Sequence, residues 1–121
     1  MEDANNVPVA NTEFAWNSLL NQLESVVGKR PADLNSVLFL IGMQELGRGP
    51  KRFTKEQKQD LLHVGVCRVM SLSGHYAFEG YDADGWPMWT LLKPIPLAGL
   101  LEQEDLIKLN VIRYFEHLLT A

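Results

Sequence analysis

The sequence predicts an α+β domain, predominantly α, with about four helices packed around a central apolar helix and one β-hairpin between helices three and four. Three observations lead there. Long stretches repeat their apolar residues at the i, i+3, i+4, i+7 spacing of one helix face. One stretch, about residues 75–92, changes period to aromatic runs on either side of an Asp-Gly turn. The order of helices and then a hairpin, without alternating strands and helices, rules out a doubly wound sheet. The 121 residues suit one domain, placed at 12–121 behind a flexible arm at 1–11 that has few apolar anchors and contains Pro8.

In the first helix Trp16, Leu19, Leu20, Leu23, Val26 and Val27 share a face. Asn11 or Thr12 is the expected cap at its start, and Gly28 suits the left-handed position after its end. Pro31 fits the first turn of the second helix, where its missing N–H costs nothing. Leu34, Val37, Leu38, Phe39, Leu40, Ile41, Met43 and Leu46 then cover nearly the whole circumference, so this helix belongs at the centre or has one face against another molecule. Gly47, Gly49 and Pro50 stop it.

Thr54-Lys55-Glu56-Gln57 reads as a capping box for the third helix, with an apolar stripe of Leu61, Leu62, Gly65, Val66, Val69 and Met70 behind it. The hairpin follows, turning at Asp82-Ala83-Asp84-Gly85. Pro87 cannot donate to a ladder, so the returning strand is expected to be an edge or to start after it. Lys93-Pro94-Ile95-Pro96 is a stiff connector, and the last helix runs from about Leu97, or from nearer Glu102, to Leu119.

Composition narrows the function classes. A net charge of −4 makes nucleic acid an unexpected partner. The longest apolar run, Val37–Ile41, is far short of the roughly 20 residues that span a bilayer. The first residues are acidic and polar rather than basic and then apolar, and Cys67 is the sole cysteine, so a reducing, cytoplasmic setting is expected.

Chemical motifs are sparse. His63 and Cys67 share a helix face at i, i+4, but a zinc site needs more ligands than that, so a buried structural thiol is expected. Asp82 and Asp84 sit in a DxD-G pattern. In a calcium-loop frame Gly80 and Leu91 would fall at ligand positions, so Asx turns are expected instead of an ion. The expected metals and cofactors are none, and no residue is assigned a catalytic role.

Two segments remain as binding candidates. Tyr76, Trp86, Trp89 and His75 are expected to line a pocket between the hairpin and the helices, suited to a small or anionic ligand. Alternation along the strands places Tyr76 and Phe78 toward the core and Tyr81 elsewhere. Arg48, Lys51 and Arg52 flank Gly49 and Pro50 before a helix start, a setting for an anion within 47–58. The span 29–58 holds seven of the eleven Lys and Arg residues. The function expected first is a non-catalytic module that binds a protein partner or self-associates, the apolar surplus of helices two and four being its motive.

Overall fold

The computed structural model describes residues 9–48, 52–95 and 100–120. Among them lie α1 (Val9–Val27), α2 (Leu34–Leu46), α3 (Lys55–Ser71), β1 (Tyr76–Tyr81), β2 (Pro87–Leu91) and α4 (Leu100–Thr120). The chain is an α+β domain, mostly α, with a two-stranded antiparallel hairpin between α3 and α4. No helix among these residues is long and apolar enough to cross a membrane.

Two helix starts differ from expectation, each for a local reason. α1 begins at Val9, so Asn11 and Thr12 lie inside it rather than capping it, and the stretch 9–11 is helix rather than arm. Thr12 is buried, which ties the first turn to the domain. α2 begins after Asp33, not at Pro31, because the Asp33 carboxylate accepts from the Ser36 N–H at 2.8 Å and from its hydroxyl at 2.8 Å. Those hydrogen bonds, backbone first, hold the Asp33 carboxyl below its usual pKa.

Other ends follow the sequence. Gly47, in the left-handed conformation, closes α2. At α3, Thr54 accepts from the Gln57 N–H at 3.1 Å while Gln57 returns an acceptor to the Thr54 N–H at 2.9 Å. The described part of α4 starts at Leu100; the earlier of the two expected starts, Leu97, lies outside the described residues. Gly49, Pro50 and Lys51 lie outside the described residues, as do Pro96 to Gly99.

The core takes Trp16, Leu19, Leu20 and Leu23 from α1, Val37, Leu38 and Ile41 from α2, Val69 and Met70 from α3, and Val111, Tyr114 and Phe115 from α4. Side chains of this size contribute about 1.5–3 kcal/mol each when fully buried. α2 supplies core residues as its apolar pattern requires, and α3 is the helix that touches the most elements: it packs on α2, α4 and both strands. Accordingly α3 also buries Val64 and Cys67, beside the stripe that packs on the helices.

Two glycines permit the α2–α3 approach. A Cβ on Gly42 would collide with the Leu61 carbonyl oxygen, and one on Gly65 with the Leu38 carbonyl oxygen. The obstacle in each case is backbone, which side-chain rotation cannot relieve.

The hairpin pairs Tyr76 with Leu91, Ala77 with Thr90 and Phe78 with Trp89. After a bulge at Glu79 it pairs Gly80 with Met88 and Tyr81 with Pro87. The bulge inserts one extra residue and shifts the side-chain alternation by one. Tyr81 therefore shares a face with Phe78, their rings 5.2 Å apart; both rings are exposed, which corrects the expectation that Phe78 would face the core, while Tyr81 lies outside it as expected. The turn is built by Asp82, whose carboxylate accepts from the N–H groups of Asp84 and Trp86, both at 2.9 Å. These are the Asx contacts expected from the sequence.

Candidate functional site

A concavity of about 650 Å³ opens where the end of α1, the 29–33 loop, the start of α2 and the first half of α3 meet. Its apolar lining comes from Val27, Pro31, Phe39, Leu40 and Leu62. Phe39 and Leu40 are the α2 residues left over when Val37, Leu38 and Ile41 turn to the core, and both stay half-buried. Phe53 steadies Phe39 edge-on, ring centroids 6.4 Å apart. Val26, 71% exposed, and Val27, 51% exposed, extend apolar surface toward α1.

Lys29, Arg30 and Lys58 also line this groove. None of them joins the ion pairs found among the described residues, which involve Arg68, Glu45, Lys108 and Glu104. Arg30 is anchored on neutral partners, donating to the side-chain carbonyl oxygens of Asn21 and, at 3.2 Å, of Asn17. Its charge is held in place without being cancelled. Asp33 is the one acidic lining residue, and its carboxylate is occupied as the α2 cap.

A second cleft, about 360 Å³, lies between the hairpin and the helices, lined by Phe78, Tyr81, Pro87 and Trp89 on one side and Glu45, Arg68 and Ser71 on the other. Arg68 Nε meets Glu45 Oε1 at 3.1 Å, and the Tyr114 hydroxyl donates to Glu45 Oε2 at 3.1 Å. The Arg68 guanidinium also sits 5.3 Å from the centroid of the Tyr114 ring. Burial, and secondly the neighbouring Glu45 charge, push the Tyr114 phenol well above its usual pKa, so it remains a donor. Phe78 contacts the Trp89 ring, centroids 5.3 Å apart. Trp89 Nε1 is sealed from solvent and has no acceptor among the described residues. Such an orphaned donor costs about 1–3 kcal/mol and is rare in a native fold.

The four hairpin residues expected to share one pocket are separated. Trp89 lines the cleft just described. Trp86 lines a different hollow with Asp60, His63, Asp82 and Asp84. His75 is buried, with Nδ1 3.1 Å from the Lys93 carbonyl oxygen, a contact that ties the hairpin to its exit. Tyr76 packs edge-on to His63 at 6.2 Å and against the core.

The basic segment is described only in part. The Arg48 guanidinium lies against the hairpin turn: a Cβ built on Gly85 would be 2.9 Å from Arg48 Nη2. Arg52 is exposed, and Lys51 lies outside the described residues. The cations that meet at a concavity are Lys29, Arg30 and Lys58, from the two ends of the same basic span. The charge run marked the region, but only the fold brings its ends together.

Cys67 Sγ lies 3.4 Å from His63 Nε2 and is fully buried. Burial raises its pKa to about 11, so the thiol is protonated and poorly nucleophilic. No three His, Cys, Asp or Glu side chains gather into a metal-ligating group among the described residues. Compared with protein-family models, curated proteins and solved structures, the chain matches none.

Proposed function

We propose that this domain is a non-catalytic protein-interaction module whose groove docks an acidic, apolar-bearing segment of a partner protein. The observation that carries this reading is the pairing of an apolar floor with three uncompensated cations on a protein of net charge −4. Apolar side chains of the partner would cover Phe39, Leu40 and Leu62, removing surface that water now wets. Its carboxylates would meet Lys29, Arg30 and Lys58, which favours acidic partners and repels basic ones. Phe39 and Leu40, part of the apolar surplus of helices two and four, lie in this floor.

A direct test is fluorescence anisotropy with a labelled amphipathic peptide of leucine and glutamate, set against its leucine–lysine counterpart. The acidic peptide should bind, and added salt should weaken it. Lys29→Glu with Lys58→Glu should cost at least about tenfold, which is about 1.4 kcal/mol. Equal binding of the two peptides, or binding that ignores both substitutions, would overturn the reading. A dimer in sedimentation that dissociates on the same substitutions would assign the groove to a second copy instead.

A further inference from the structure

The cleft beside the hairpin shares no lining residue with the groove, and what it holds is a separate question. We infer that it is a binding site for a small uncharged aromatic molecule carrying a carbonyl oxygen.

Size and lining set the first limit. At about 360 Å³ the cleft is near the lower end of ligand pockets, room for one or two rings. Phe78, Tyr81, Pro87 and Trp89 offer it ring faces and edges, the setting in which an aromatic guest finds offset or edge contacts. Charge sets the second limit. Arg68 and Glu45 cancel each other across 3.1 Å, and the other Glu45 oxygen is taken by the Tyr114 hydroxyl. An anion or a cation entering here meets no spare counter-charge and would have to break that pair.

The orphaned Trp89 Nε1–H sets the third. Among the described residues it is the buried side-chain nitrogen or oxygen that lacks a partner, and it belongs to a residue of the cleft wall. The chemistry that completes it is an acceptor oxygen. Phe78, packed on the Trp89 ring, is 48% exposed and Tyr81 is 62% exposed, so neither ring is held by the core. A guest ring packs against them while its carbonyl takes the indole proton.

The bulge at Glu79 is part of this site. Without its extra residue Tyr81 would face away from Phe78, and the cleft would lose one wall.

The experiment is a nuclear magnetic resonance titration of the ¹⁵N-labelled chain with 1-naphthamide, read at the indole N–H signals. The chain has three tryptophans, and Trp89→Phe assigns the signal of interest. The expected result is a saturable downfield shift of the Trp89 indole proton, with those of Trp16 and Trp86 unmoved. Trp89→Phe, read at backbone amides of β2, should weaken binding by at least about tenfold. Tyr81→Ala, at an exposed ring that folding does not need, should also weaken it. No saturable shift, or equal shifts at all three indoles, would leave the Trp89 N–H to a water and overturn the proposal. So would 1-naphthoate or 1-naphthylmethylamine binding as tightly as the amide.

Discussion

Phe78 and Tyr81, three residues apart on one strand, meet ring to ring at 5.2 Å because the bulge between Phe78 and Gly80 turns them onto one face. A regular strand would send them to opposite faces. The bulge depends on Gly80, which sits at φ 105° with open space where a Cβ would be. Gly80→Ala therefore meets conformational strain without a clash, and should cost about 1–3 kcal/mol in urea unfolding. The same substitution should weaken 1-naphthamide binding, since it disturbs the residue that orients Tyr81.

The α2–α3 contact makes a harsher prediction. Gly42→Ala and Gly65→Ala each drive a methyl group into the facing carbonyl oxygen, that of Leu61 or of Leu38. The helices have to separate, opening the core around Val37, Leu38 and Ile41. Each variant should lose about 3 kcal/mol or more by urea unfolding, at the upper end of overpacking costs. Gly28→Ala, with no atom near its missing Cβ, is the control for φ alone, at 92°.

The existence of the helices, several of their ends and the hairpin were legible in the sequence because they rest on local chemistry. Thr54 with Gln57, Gly47 after Leu46, and Asp82 two residues before Asp84 each announce a contact made within a few residues. What could not be read were relationships across the fold. Lys29 and Lys58 sit at the two ends of one basic run, yet line one groove. Glu45 and Arg68 show no pattern in the chain before their pairing across two helices. The bulge moved Tyr81 by one register, and nothing in the spelling of Phe78-Glu79-Gly80-Tyr81 separates a bulged strand from a regular one except the glycine. Hence a cleft does lie beside the hairpin with Trp89 in its wall, while His75, Tyr76 and Trp86 lie elsewhere.

Capping offers a smaller, local check. Thr54→Ala removes the acceptor of the Gln57 N–H and should cost about 1 kcal/mol of stability. Thr54→Ser should retain nearly all of it. Thermal unfolding of the two variants beside the parent protein distinguishes them.

The buried thiol predicts an alkaline dependence. Folded Cys67 loses its proton near pH 11, whereas an exposed thiol does so near 9.0. A group whose pKa is raised on folding contributes stability fully below the unfolded value and loses it as pH climbs through the folded one. The stability tied to Cys67 is thus intact below about pH 9 and lost between about 9 and 11, on the order of 2 kcal/mol. Burial raises the Tyr76 pKa as well, and that group acts in the same direction. Urea unfolding across this window should show the decline, and Cys67→Ala should reduce it to the part that Tyr76 and Tyr114 contribute. At pH 8 a thiol reagent should modify the native protein no faster than it unfolds.

The groove carries the central claim, and a charge swap tests it most directly. In the parent protein Lys29, Arg30 and Lys58 face the groove without an acidic partner in an ion pair. Lys29→Glu with Lys58→Glu lies on exposed side chains and should leave thermal stability nearly unchanged. Anisotropy titrations with the leucine–glutamate and leucine–lysine peptides should then reverse their order: the parent prefers the first and the double variant the second. Reversal with the apolar floor untouched is the result this account predicts. A variant that keeps the parent's preference, or a parent protein with none, would contradict it.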